Sequence, residues 1–241
     1  MGIALTLDYD WASEAVLEMA VKPLVEAGIK VTLFSTHESA WVNGMWARHS
    51  GKIELEIHPN FLAGSSQGQS MAQVLESCGR LTSEKMGYRC HKYYNDNDVQ
   101  ETMTNLGYKY SSNICTDLQY VPPFRTRTGL LEIPIYMEDG GFLYRKHDLS
   151  ISKVISNVGQ VGEGTIVFLF HPMHIAFNSN SYGAMRALKR ELSRDQYQNI
   201  TAQFVNSHRN RGYGVANILE ELIEWKERNG VNCVLMKEIH D

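Results

Sequence analysis

Five short, mostly apolar stretches of this 241-residue chain stop at residues that can hold a metal ion or move a proton. The first stops at Asp8 and Asp10, with one residue between them. The others stop at His58, at Arg89 and His91, at Glu138 and Asp139, and at His171 and His174. Aspartate is a poor strand former. Taken alone, Asp8 and Asp10 fit a helix N-cap plus one solvated acid as well as they fit a chemical site. Taken together, the five endings form a chemically coherent set. Asp and His bind divalent metal, His favouring zinc-like ions. A second carboxylate can take a proton from water, and a His opposite can give one to a leaving group. An Arg beside a carboxylate holds and tunes it. Such a set suits hydrolysis of an amide or ester.

For these residues to meet, the strands must run parallel with their carboxyl ends on one face, the face that carries the site in barrels and open α/β sheets. The periodicities predict that arrangement. Strands are expected at 2–7, 30–35, 52–57, 88–91, 108–113, 130–137 and 165–170, with a closing strand at 233–236. Helices are expected at 14–27, capped by Ser13 and stopped by Gly28, and at 41–49, 70–85, 96–106, 151–161, 193–208 and 215–228. The opening strand, helix and strand form a βαβ unit, which implies a parallel pair. Pro59 ends the third strand, since it cannot donate to the ladder.

The bulk properties exclude several functions. Apolar residues make up 43% of the chain, enough for a sizeable core, and the net charge of −4 shows no basic face for nucleic acid. No apolar run is long enough to span a membrane. The first residues read as a strand, so no leader is expected, and the four cysteines, Cys78, Cys90, Cys115 and Cys233, show no paired spacing. A cytoplasmic protein is expected. No repeat or linker divides the chain, so residues 1–241 read as a single domain.

From Thr6 to His174 the motifs and their order resemble the polysaccharide deacetylase, or NodB-homology, family. The chain is most similar to a divergent WbmS-like branch associated with surface-polysaccharide loci. The resemblance implies an α/β fold, a distorted (β/α) barrel of about seven parallel strands, and metal-dependent removal of acetyl groups from N-acetylated sugars. It implies roles residue by residue. Thr6-Leu7-Asp8-Tyr9-Asp10 matches the first motif with one residue inserted between the acids; Asp8 would be the general base and Asp10 a metal ligand, or the two roles exchanged. His58, in Glu56-Ile57-His58-Pro59-Asn60, would be the second ligand. The family's second metal histidine is missing, and Gln67 stands in the loop where it belongs. A Gln carbonyl suits a hard cation better than zinc, so His91 or His174 is the alternative third ligand. Arg89 and Asp139 would support the base and the acid, and His171, in Leu169-Phe170-His171, would be the general acid. The implied cofactor is a divalent metal, zinc by preference. The implied partner is a small sugar or oligosaccharide, with a precursor of surface polysaccharide (O-antigen) as the expected substrate. A barrel that has lost its metal and only binds a sugar or a partner protein is the alternative that Gln67 raises.

Other residues carry weaker expectations. Asn60, His174 and Trp11 are candidate substrate contacts, and Tyr93, Tyr94 and Trp11 could stack on sugar rings, although aromatics more often pack. Arg125 and Arg127 could meet a substrate phosphate or simply face solvent. Asn178 either touches substrate or anchors its loop. Cys90 reads as a packed thiol rather than a nucleophile.

Overall fold

The structure, a computed structural model, describes residues 1–82 and 84–240. The chain opens with β1 (Gly2–Asp8), α1 (Glu14–Glu26), β2 (Val31–Ser35), α2 (Ala40–Arg48) and β3 (Ile53–Ile57). It continues through α3 (Met71–Cys78), β4 (Gly87–Tyr88), α4 (Asn97–Asn105), β5 (Tyr110–Ser111), β6 (Phe124–Arg125), β7 (Leu131–Glu132), β8 (Met137–Glu138) and α5 (Asp139–Tyr144). Then come α6 (Ile151–Val154), β9 (Thr165–Phe170), α7 (Pro172–Ala176), α8 (Tyr182–Glu191), α9 (Arg194–Gln198), α10 (Ala202–His208), α11 (Val215–Arg228) and β10 (Asn232–Cys233).

The strands form one sheet in the order β6-β7-β5-β4-β3-β2-β1-β9-β8, with β10 pairing beside β1. All pairs are parallel except β6 with β7. The sheet curls on itself because residues 131–138 leave β7, next to the β6 edge, and join the other edge as β8. Ile133 N–H bonds Ser111 C=O at 2.8 Å, whereas Tyr136 N–H bonds Val167 C=O at 2.9 Å. One predicted strand, 130–137, is therefore two short strands that link opposite sides of a distorted (β/α) barrel.

Alternation along the strands separates two cores. Ile3, Leu5 and Leu7 of β1 pack outward against α1 residues such as Val16, Leu17 and Val21. Ala4, Phe34, Val167 and Leu169 face a second, interior cluster with Tyr110 and Ile133. Thr6 and Asp8 share the parity of Ala4, Glu54 and Glu56 that of His58, and His171 that of Leu169. The interior parity therefore ends in the chemistry-bearing residues. Lower in the barrel, the Glu54 carboxylate accepts from Thr32 Oγ1 at 2.7 Å and Tyr110 OH at 3.0 Å. A 3-10 turn, Met236–Glu238, plugs the end opposite the site. Its Met236 N–H bonds Thr32 Oγ1 at 3.0 Å and its Lys237 N–H bonds Glu54 at 3.1 Å. The expected closing strand is thus β10 followed by this plug.

Several helices differ from expectation. The helix expected over 70–85 ends at Cys78, where Gly79 follows; position 83 lies outside the described residues. The one expected over 193–208 is split into α9 and α10, because buried Ile200 turns inward and its carbonyl accepts the Ser13 hydroxyl at 2.6 Å. The one expected over 151–161 is α6 followed by a separate 3-10 turn, Val158–Gln160. Helix α8 was not anticipated.

Candidate active site

At the carboxyl ends of the strands the chain leaves β1 through an unusual turn. Asp10 and Trp11 both adopt left-handed backbone, φ 47° and 59°, which costs free energy for non-glycine residues and concentrates at functional sites. Ser13, not an aspartate, caps α1, accepting from Val16 N–H at 3.3 Å. Both aspartates are thereby released from capping. Asp8 is buried, and its Oδ1 accepts from Arg89 Nη1 at 2.8 Å. Arg89 is wholly buried and uses its remaining donors on Thr6 Oγ1 (3.0 Å), Ser112 C=O (3.0 Å) and Ser112 Oγ (2.9 Å), with Phe34 stacked 4.1 Å beneath.

Asp10 reaches across the mouth of the barrel to two histidines. His58 follows β3, extending its ladder by an N–H bond to Ser35 C=O at 2.8 Å. His91 is held in a 3-10 turn, His91–Tyr93, by an N–H bond to Pro59 C=O at 2.9 Å. His58 Nε2 lies 3.4 Å and His91 Nδ1 3.0 Å from Asp10 Oδ1. All three ligand atoms fall within 4.8 Å of one another. Donors about 2.0–2.2 Å from a tetrahedral zinc stand roughly 3.4 Å apart, and two His with one carboxylate leave a fourth position open. His58 Nδ1 is buried without a hydrogen-bond partner, 3.8 Å from Asp8 Oδ2. A ring nitrogen aimed at a carboxylate behind the ligand is how metal-bound histidines are usually oriented. The donor set fits a divalent cation. Burial opposes the Asp10 charge, yet hydrogen bonds with His58 and His91 and the nearby His171 hold its carboxyl well below the usual range.

On the other side of β1 His171 follows its neighbour β9, and Asp139 opens α5. Asp139 Oδ1 meets His171 Nδ1 at 2.6 Å, and Asp139 Oδ2 accepts the His171 backbone N–H at 2.7 Å. The other ring nitrogen of His171, Nε2, faces Asp10 Oδ2 at 3.8 Å. Burial works against a charged imidazole, but Asp139, and beyond it Asp10 and Glu138, push His171 up to about 10. Asp139 is held low against burial by His171 and His174. His174 is pushed down to about 4 by burial, and its Nδ1 has no partner. Asp8, Asp10, His58, His91, His171 and His174 line one cavity of about 390 Å³.

Two expected residues lie elsewhere. Gln67 is not in the donor cluster: its Oε1 accepts Asn60 N–H at 2.6 Å, and its Nε2 donates to Thr36 C=O (3.0 Å) and His58 C=O (3.2 Å). Its amide pins three backbone segments, and His91 stands in its place beside Asp10 and His58. Asn60 does not line the cavity; its Oδ1 accepts Leu62 N–H at 3.1 Å within the loop. Trp11 lines an adjoining cavity and meets His91 edge-on, ring centroids 5.1 Å apart. Tyr93 lines the main cavity, whereas Tyr94 is exposed and bonds Asp96 at 2.9 Å. Arg127 is bound by Glu101 and by Asn97 at 3.1 Å, and Arg125 by Gly129 C=O at 3.0 Å. Asn178 anchors its loop, donating to Gly212 C=O at 2.9 Å and accepting Ala216 N–H at 3.0 Å. Cys90 is buried, and burial pushes its thiol far up.

Sequence reasoning missed Lys92, Tyr182, Met185, Lys189 and Tyr197, which complete the cavity wall. A signal existed: Ser181 as a cap, followed by Tyr182, Met185 and Leu188 at helical spacing.

A family model described as WbmS-like: Polysaccharide deacetylase matches residues 5–189. No curated protein sequence matches the chain. Among solved structures, a Bordetella bronchiseptica protein assigned as a polysaccharide deacetylase involved in O-antigen biosynthesis is 22% identical, with a TM-score of 0.76 over 92% of this chain and 90% of that one. A family 4 acetyl xylan esterase from Clostridium thermocellum, in complex with a cobalt ion, is 12% identical with a TM-score of 0.51 over 99% of this chain and 89% of that one. A peptidoglycan N-acetylglucosamine deacetylase is 12% identical with a TM-score of 0.50 over 99% and 87%. These likenesses are of fold, and the family match spans most of the sequence. The chain belongs to the WbmS-like polysaccharide deacetylase family.

Proposed function

We propose that the protein hydrolyses the amide of an N-acylated sugar, acetyl by preference, with a divalent cation held by Asp10, His58 and His91. The observation that carries this reading is the three-donor cluster with His171 Nε2 3.8 Å from the same Asp10, its imidazole pushed up, against burial, by Asp139. Zinc is the cation that two imidazoles and one carboxylate favour, and when bound it would supply a Lewis acid for the acyl carbonyl and for water. Asp8, with Oδ1 held by Arg89, accepts the proton of the attacking water. His171, its Nδ1 engaged by Asp139, delivers the proton on Nε2 to the departing amine. The acyl C–N bond breaks, a C–O bond forms, and the products are a free amino sugar and a carboxylate.

A precursor of a surface polysaccharide such as O-antigen is the substrate we favour, on the strength of the Bordetella relative. No helix among the described residues is long and apolar enough to cross a membrane. A metal-free binding barrel was suggested by Gln67; His91 supplies a third donor without it.

The test is metal analysis of protein purified without chelator, together with release of acetate from N-acetylated oligosaccharides. Bound zinc near one equivalent, lost in Asp10→Ala and His58→Ala along with activity, is the expected result. His171→Ala should keep the metal and lose about 10²–10⁴-fold in rate. Metal-free protein that binds sugar equally well in all three variants would sink the reading.

A further inference from the structure

The cavity has a second lobe. A smaller hollow of about 270 Å³ adjoins it and shares Asp10, His91, Lys189 and Tyr197 with it. Lys189 and Tyr197 stand between the lobes, the Lys189 ammonium lying 5.5 Å from the Tyr197 ring centroid. The inner lobe ends in carboxylates. The outer lobe is different: its one acid is Asp10, already engaged by His58 and His91, whereas Lys189 and Arg194 both line it. Lys92 adds a third cation at the rim of the inner lobe. Among the described residues none of these three cations pairs with a carboxylate. An independent feature points the same way. The Tyr197 hydroxyl, on the wall common to both lobes, is buried without a hydrogen-bond partner. A buried orphan hydroxyl is costly unless something else supplies its partner.

We propose that the outer lobe binds a phosphate or diphosphate group, held by Lys189 and Arg194 with the Tyr197 hydroxyl as a further donor. The substrate would then be a glycosyl phosphate or diphosphate, presenting its N-acyl group to the inner lobe, rather than a neutral polymer. This rests on the inner lobe being the deacylation site. Arg and Lys are the side chains that best match phosphate oxygens. Two sources share this chemistry, a nucleotide sugar and a lipid-linked sugar.

The test is calorimetric titration of the full chain with inorganic diphosphate, uridine diphosphate and farnesyl diphosphate, before and after chelation of metal. One site that survives chelation is expected. The double variant Lys189→Ala/Arg194→Ala should weaken it by about tenfold or more, and Lys189→Arg should retain it to within about threefold. Circular dichroism checks that each variant is folded. Tighter binding of uridine diphosphate supports a nucleotide carrier, and tighter binding of farnesyl diphosphate a lipid carrier. Absence of binding, binding that vanishes on chelation, or equal binding by the double variant each overturns the proposal. No acyl group is present in this assay, so an inactive site leaves its outcome intact. Conversely, protein that deacylates a neutral oligosaccharide but binds no diphosphate overturns the outer lobe and spares the inner one.

Discussion

The two walls of the cavity keep their charges for different reasons. Arg89 has no solvent to fall back on: it is wholly buried, and Asp8, Thr6 and Ser112 are its partners. Removing one member of a buried pair strands the other, which costs about 3–5 kcal/mol. Arg89→Met should therefore lower unfolding free energy in urea by that amount, and adding Asp8→Asn should restore part of it. The His171–Asp139 pair is readable by titration. Because folding raises the imidazole to about 10, the pair's contribution is fully present below the ordinary histidine value near 6.5 and is lost as pH rises through about 10. In metal-free Asp139→Asn, an NMR titration should find the His171 midpoint lower by more than about one unit, with the alkaline limb of activity moving down alongside it. An unmoved midpoint would mean that Asp139 does not hold the proton there. His174, depressed to about 4, has the opposite sign, and its contribution fades as pH falls from about 6.5 toward that value.

At the level of elements, strand β3 shows where sequence pattern misleads. Its alternation of Ile53, Leu55 and Ile57 with Glu54 and Glu56 resembles a strand with one wet face. Instead both glutamates are buried in the barrel, 2% and 1% exposed. The Glu56 carboxyl is pushed up to about 9 by burial and by Glu54 beside it, and it accepts Gly87 N–H at 2.8 Å. Polar groups buried beside the apolar interior cluster reverse the usual inference from alternation, since polar positions can point at other buried polar groups rather than at water. The plug at the opposite end is the counterpart of the site. Met236 is fully buried in the interior cluster, while the backbone beside it bonds Thr32 and Glu54. Met236→Ala should cost about 2–5 kcal/mol in chemical denaturation. It should do so without altering bound metal, because the plug lies at the end away from Asp10.

For the whole molecule, the three-donor cluster joins segments far apart in sequence: Asp10 after β1, His58 after β3 and His91 after β4. A cation bound there holds the folded barrel together more than it holds the unfolded chain. At a metal concentration about one hundred times the dissociation constant the gain is about 2.7 kcal/mol. For a chain of this size that corresponds to roughly 5–10 °C in melting temperature. Chelation should lower the melting temperature by that much, and Asp10→Ala and His58→Ala should each remove the dependence on metal.

The sequence by itself determined the parallel α/β order and the strand ends that carry acids and histidines, which follow from local signals: apolar runs of strand length, caps such as Ser13 and the stop at Pro59. That Arg89 would support Asp8, and Asp139 would support His171, was implied by the family resemblance and not by those signals. Tertiary structure alone decided which third donor joins Asp10 and His58. His91 is brought there by a bond to Pro59 and a left-handed turn at Lys92 and Tyr93, φ 54° and 58°, while Gln67 is consumed by the backbone of its own neighbourhood. It alone placed Lys189, Arg194 and Tyr197 at the cleft, since α8 and α9 reach it by packing rather than by following a strand. The physical reason is that a strand's end is a local property, whereas the meeting of side chains from distant segments depends on loop closure and on which hydrogen bonds are already spent.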